Sequence, residues 1–277
     1  MSKLLSAGMD RLWKNKLFWA CVAAALLISA GTVLNGCRQA MMPENAEYTY
    51  RMDDYYFNAL PFLGFMCAVF TGMFLGTEYS DGTVRNKVIV GHTRFAIYMA
   101  NFITCLAAAM VMLGAYLLGG LVGIPTLGLW QMAPGTLLIL IAVSVALSAA
   151  QAAIFVFIGM ASQNKAITAV AAILVALALL LSASMIYNKL REPEMYSGVI
   201  FTSNGMEVSE PSPNPEYVSG VQRTIYEFVL DALPTGQGIL LANAETARPA
   251  LQISASVAIT ILVSAGGIYI FSKKDLK

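Results

Sequence analysis

One short stretch, Glu78 to Phe95 (EYSDGTVRNKVIVGHTRF), sets carboxylates, hydroxyls, Arg85, Lys87, His92 and Arg94 between two long apolar runs. By type, such residues could ligate a metal, cradle a phosphate, run acid-base chemistry or dock another protein. His92 is the only histidine in the chain, and a single histidine without a second ligand is not a metal site. It reads as a solvated interfacial residue, and no metal is expected. No glycine-rich loop ending in Gly-Lys-Ser or Gly-Lys-Thr occurs, so the chain has no P-loop of its own. If it uses ATP, another chain must bind it. No catalytic residues are expected, and what remains for the island is docking.

The island has the makings of a short surface helix. Asp81 or Thr83 can cap it, Thr83 to Val90 can make about two turns, Gly91 can end it, and Thr93 can cap the helix that follows. Val84, Val88 and Ile89 then offer apolar contacts, while Arg85 and Lys87 make one side basic. A plain polar loop between two membrane spans accounts for the same residues equally well. Sequence physics alone leaves both readings open.

The elements that must position this island are membrane spans. The chain of 277 residues is 58% hydrophobic and 12% charged, with a mean hydropathy of +0.68. That is about half the charge of a soluble domain. Apolar runs near the roughly 20 residues a bilayer requires fall at about Leu17 to Leu34, Ala59 to Thr77, Ala96 to Gly123, Thr136 to Met160, Ala166 to Ile186 and Ala250 to Phe271. The expected fold is an all-α integral membrane protein, one transmembrane domain over residues 1–277. Before the first span, Leu4, Leu5, Met9, Leu12 and Trp13 share a helical face, and Lys3, Asp10, Arg11, Lys14 and Asn15 lie largely opposite. This describes an interfacial helix with Lys3, Arg11 and Lys14 toward headgroups and Trp13 at the polar boundary. The charged flank of the first span is the plainer alternative. No removable signal peptide is expected ahead of it.

Gly64, Gly72 and Gly76 make the second span a candidate for close packing against another helix or subunit. The tyrosine-rich segment after the first span reads as an aromatic belt. Cys21, Cys37, Cys67 and Cys105 lack paired spacing and read as small buried hydrophobes, with Cys37 near an outer end. Prolines in EPSPNPEY, Glu210 to Tyr217, argue against regular structure there. Val221 to Leu233 has helical periodicity.

Eleven of the 17 Lys and Arg residues fall on the side of both termini and the island, which the positive-inside rule makes cytoplasmic. Residues 187–249 then lie outside the cell. Within the six runs there is no Asp, Glu, Lys, Arg or His. Ion-coupled carriers and intramembrane metalloproteases both need such groups at depth, so both are disfavoured. Asn101, Thr104, Ser144, Gln151, Thr168 and Ser256 read as hydrogen-bond partners between helices.

The order Glu78, Tyr79, Gly82, Thr83, Arg85, Asn86, Gly91 and Arg94, between the second and third of six spans, resembles the coupling region of type-2 ABC transporter permeases. The amphipathic N-terminal helix, the tight link between spans four and five, LPTGQ at Leu233 to Gln237, and the tail Phe271, Ser272, Lys273, Lys274, Asp275 agree with it. The resemblance implies a subunit that docks an ATP-binding cassette protein through Glu78, Gly82, Thr83, Val84, Arg85, Lys87, Val88 and Ile89. ATP and Mg would sit on that partner. It implies a second permease copy, identical or related, and an amphiphilic cargo, such as a drug-like molecule, a lipid or an antimicrobial peptide, moved across the cytoplasmic membrane. It implies no nucleic acid. A membrane sensor or assembly subunit that transports nothing is the competing expectation.

Overall fold

A computed structural model describes residues 1–45, 47–162, 164–197, 199–202, 205–208 and 211–274. Glu210 of the proline-rich run, Gln163 of the fourth-to-fifth link, and Asp275 and Lys277 of the tail lie outside the described residues. The chain is an all-α membrane protein. α1 (Ser2–Trp13) stops at Asn15, whose side chain caps α2 (Lys16–Met41) by accepting from the Phe18 amide at 3.1 Å. α2 outruns its apolar stretch because no helix breaker follows Leu34 until Pro43. After one turn of α3 (Met52–Tyr55), Pro61 starts α4 (Pro61–Ser80). α5 (Thr83–Ile89) and α6 (Arg94–Gly120) follow, then a turn with α7 (Ile124–Leu127). α8 (Pro134–Ala161) and α9 (Lys165–Arg191) form a helical hairpin, with Asn164 capping α9 through the Ala166 and Ile167 amides. The chain ends in α10 (Gly220–Ala232), α11 (Pro234–Ala242) and α12 (Pro249–Lys273). Among the described residues six helices, α2, α4, α6, α8, α9 and α12, are long and apolar enough to cross a membrane.

Between α9 and α10 the chain makes two short antiparallel pairs, Met195–Tyr196 with Ser212–Pro213 and Val199–Thr202 with Gly205–Val208. The proline-rich run thus carries a two-residue bridge where none was expected. The first and last residues of a strand tolerate proline, since only an interior position needs its missing N–H.

α4 sits between α8 and α9, α2 lies along α6, and α12 packs on α8. Gly72 and Gly76 let α9 approach α4 closely: a Cβ there would come within 3.1 Å of Ala169 Cα and 3.0 Å of Lys165 Cα. The glycine spacing therefore serves packing within the chain. A close backbone-to-backbone crossing joins α6 to α2, where a Cβ on Gly119 would lie 2.3 Å from the Leu26 carbonyl oxygen. Backbone cannot yield as a flexible side chain can. Gly119→Ala is expected to push the two helices apart and cost about 1–3 kcal/mol. Gly114→Ala, in the same helix with nothing within 4 Å, should be neutral. Thermal unfolding of the two variants in detergent compares them directly; equal midpoints would refute the crossing.

All four cysteines are free and buried, Cys37 included. Part of the tyrosine-rich segment is core, not belt. Tyr56 is 4% exposed, donates from its hydroxyl to the Leu117 carbonyl at 2.9 Å and meets Trp130 edge-on. Asp53 accepts from the Gln131 and Met132 amides at 3.1 Å each, tying this segment to the turn before α8. At the same end of the bundle, LPTGQ has a local explanation. Pro234 starts α11, and Gly236 lets α11 fold back on α10, since a Cβ there would sit 2.4 Å from the Leu230 carbonyl oxygen. Gln237, fully buried, donates to the Asp231 and Gln252 carbonyls and accepts from Ser256 Oγ at 2.8 Å.

Candidate functional site

Glu78 occupies the last turn of α4 and is 2% exposed. A carboxylate that deep needs partners, because an unpaired buried charge costs several kcal/mol. It has three. Arg11 of α1 lies 2.8 Å from Oε1, Lys87 of α5 lies 2.5 Å from the same oxygen, and Asn101 of α6 donates to Oε2 at 2.8 Å. The Glu78 backbone carbonyl accepts from Thr83 Oγ1 at 2.7 Å. Four helices therefore converge on one side chain. Two cations face one carboxylate, and Arg11 also stacks over the Phe74 ring at 3.7 Å, which offsets part of the excess charge.

The island is a helix, not a plain loop. Gly82, at φ +67°, makes the turn from α4 into α5, a left-handed backbone that glycine adopts without penalty. Neither Asp81 nor Thr83 caps α5, because Thr83 spends its hydroxyl on the Glu78 carbonyl. Gly91, at φ +96°, ends the helical turn, and Thr93 Oγ1 caps α6 by accepting from the Ala96 amide at 3.2 Å.

The expected docking residues divide into two sets. Val84 is 1% exposed inside the chain, Lys87 turns inward to Glu78, and Val88 is half-buried against the core. Val84 is thus covered by the chain itself, and Lys87 and Val88 are turned partly inward, because α5 is held down on α4 and α6. Arg85 and Ile89 are exposed, and so are Val90 and Phe95. Ile89 at 70% and Val90 at 76% exposure are the most open apolar side chains of the island.

α1 also differs from expectation. Leu4, Gly8 and Leu12 are buried, α1 packs against α6, and Arg11 turns inward to Glu78 instead of out to headgroups. Lys3, Trp13 and Lys14 remain exposed, with Trp13 carbonyl oxygen accepting from Trp19 Nε1 at 2.8 Å. Of the polar residues inside the spans, Asn101 and Ser256 bond between helices. Thr104, Ser144 and Thr168 bond back to their own helix or its cap.

Two further residues brace the island's end of the bundle. Arg94 donates to the Phe271 carbonyl at 2.8 Å and to that of Lys274, fixing the start of α6 to the end of α12. Lys274 donates in turn to the Ala161 and Met160 carbonyls at 2.7 and 3.1 Å, and Tyr79 Oη donates to Met160 at 2.9 Å. Burial pushes Lys274 down to about 8, still above neutral. It stays a cation at the negative end of the α8 dipole. Arg94 therefore serves as a structural tie between α6 and α12.

Among the described residues, six membrane-length helices, an N-terminal helix folded onto them and a short helix locked between the second and third define a multi-pass membrane protein. The family model described as ABC-2 family transporter protein matches residues 4–181, from α1 into α9, and the chain belongs to that family. No curated protein matches it. Membership implies a membrane transport component that associates with an ATP-binding subunit and is not itself catalytic.

Proposed function

We propose that the chain is the permease subunit of an ATP-driven exporter and that α5 is the element through which a separate ATPase drives it. The observation that carries this reading is the pairing of a fixed inner face with a free outer one. Glu78 fastens α5 to α1, α4 and α6, while Ile89 and Val90 point away from the chain. Two open apolar side chains beside Arg85 suit the groove of a folded partner. A push on α5 would pass through Glu78 into α4 and α6 without flexing a loop. ATP and Mg belong on the partner, and the charge distribution along the chain supports cytoplasmic placement of both termini and α5 in the cytoplasmic membrane. Two permease copies around a shared path, and an amphiphilic cargo, complete the reading.

Ile89→Asp with Val90→Asp tests it. Burying two carboxylates in an apolar groove costs several kcal/mol, so the double variant is expected to lose a co-expressed ATPase in a detergent pull-down. Its own unfolding midpoint should not change, since both side chains are already exposed. Equal recovery of the ATPase with both forms, or none with either, would instead favour a sensor or assembly subunit.

A further inference from the structure

The end of the bundle away from α5 carries a cavity of about 670 Å³ between the end of α9, α10, α11 and the loop into α12. Its size falls in the range of small-molecule sites. Three arginines and three carboxylates line it, joined as Arg191 with Glu245, Arg223 with Glu227 at 3.2 Å, and Arg248 with Glu227 at 3.3 Å and Asp231 at 2.8 Å. Leu190, Leu230 and Leu240 supply apolar wall.

α10 is oriented opposite to a helix that faces water. Arg223, Glu227 and Asp231 recur every four residues toward the cavity, while Val221, Ile225 and Phe228 lie on the far face and are 78%, 53% and 54% exposed. An apolar face turned outward and a charged face turned inward suit a helix bathed by lipid on its outer side. The cavity then opens at the membrane–water boundary, its charged pairs wetted and the outer face of α10 toward lipid.

The charges sum to zero, which suits neither a lone anion nor a lone cation. They suit a molecule carrying both. Among the described residues Arg223 is paired to Glu227 through Nε, which leaves its two terminal nitrogens to donate, and guanidinium groups bind phosphate in two-pronged fashion. The Arg191–Glu245 and Arg223–Glu227 pairs are 38–56% exposed at the side chain. Exposed pairs hold little energy, so a ligand can trade them partner for partner: phosphate onto arginine, ammonium onto glutamate. Asp231, 5% exposed at its side chain, is the fixed floor of the cluster.

We infer that this cavity binds the headgroup of a zwitterionic amphiphile, one phosphate and one ammonium, as an outer-leaflet phospholipid presents them, with the first part of its chains against the leucines. This rests on the permease reading for its outer-leaflet placement and names the cargo chemistry that reading leaves open.

The test uses the full-length protein in detergent and native mass spectrometry with three probes: phosphatidylethanolamine, phosphatidylglycerol and diacylglycerol. Retention is expected to be about tenfold higher for phosphatidylethanolamine than for diacylglycerol and severalfold higher than for phosphatidylglycerol. Soluble phosphoethanolamine should compete only weakly if the chains contribute; competition as strong as the lipid's would make the free headgroup the ligand and overturn the lipid assignment. The paired change Arg223→Gln with Glu227→Gln keeps the net charge and the Asp231–Gln252 bond, and should erase the preference. Glu245→Gln, on the other exposed pair, should weaken phosphatidylethanolamine but not phosphatidylglycerol, which keeps the result readable if the double variant misfolds. Equal retention of all three lipids, or a preference untouched by these changes, would mean that the cluster only closes the bundle's end. Either result leaves the ATPase pull-down unaffected, so this site and the permease reading fail separately.

Discussion

Glu78→Ala is expected to destabilise the protein by about 3 kcal/mol, the lower end of what breaking a buried ion pair costs. The lower end applies because the two cations it would strand are not fully enclosed: the Lys87 side chain is 19% exposed and that of Arg11 32%. Water can reach both once the carboxylate is gone. Asn101, 2% exposed, cannot be compensated in that way and keeps only the weak Met160 Sδ acceptor at 3.4 Å. Glu78→Gln, which keeps an acceptor for Asn101 and removes only the charge, should cost less than half as much. The decisive measurement is a double-mutant cycle in thermal unfolding between Glu78→Gln and Arg11→Met. A shared network predicts that the double variant is more stable than the sum of the singles by on the order of 1 kcal/mol. Strict additivity would mean that Arg11 and Glu78 are neighbours without coupling, and the mechanical link from α1 to α5 would fall with it. The same variants should release α1, so protease access between Trp13 and Lys16 should rise in step with the loss of stability.

The spans were legible because bilayer length and apolar content leave little choice; for α5 the sequence left helix and loop open, and only the helix bounds, bracketed by Gly82 and Gly91, were right to within one residue. Its cap was not, since Thr83 has two acceptors to choose between and only the approach of α4 decides. The inward faces of α1 and α5 were equally hidden. On a helical wheel Arg11 and Lys87 belong outside, and nothing local says that Glu78, 67 residues from one and nine from the other, waits to receive both. The hint lay in Asn101, a lone strong hydrogen-bonding side chain in an apolar run one helix away from a carboxylate at the same depth. Val84 and Ile89 look alike in sequence, yet packing buries the first and leaves the second open. Which island residues stay exposed follows from that difference, so it became readable only once α5 had been placed on its neighbours.

Asp231→Ala is the second large effect expected, and it should differ in kind from Glu78→Ala. Asp231 is 4% exposed, accepts from Gln252 Nε2 at 2.8 Å and pairs with Arg248 at 2.8 Å. Removing the carboxylate leaves the Gln252 amide, wholly buried and already without a partner at Oε1, unpaired at both ends. An unmet buried polar group costs about 1–3 kcal/mol, and the stranded Arg248 keeps only its longer bond to Glu227. The sum is about 3 kcal/mol, similar to the loss at Glu78, but it falls on different structure. Glu78 joins helices of the main core, whereas Asp231 joins α10 to the first turn of α12, and Leu230 and Ile239 belong to a small separate cluster with Ala183. Local opening is therefore the cheaper response. Hydrogen exchange is expected to accelerate by about a hundredfold across residues 220–242 while α4 and α6 keep their protection, and Asp231→Asn, which still accepts from Gln252, should show a much smaller change. Uniform acceleration over the whole bundle would mean that α10 and α11 are part of the main core and cannot move independently of the spans. Exchange that accelerates in α10 and α11 while α4 and α6 stay protected would instead make α10 and α11 an end-piece that can open while the joint at Glu78 stays closed.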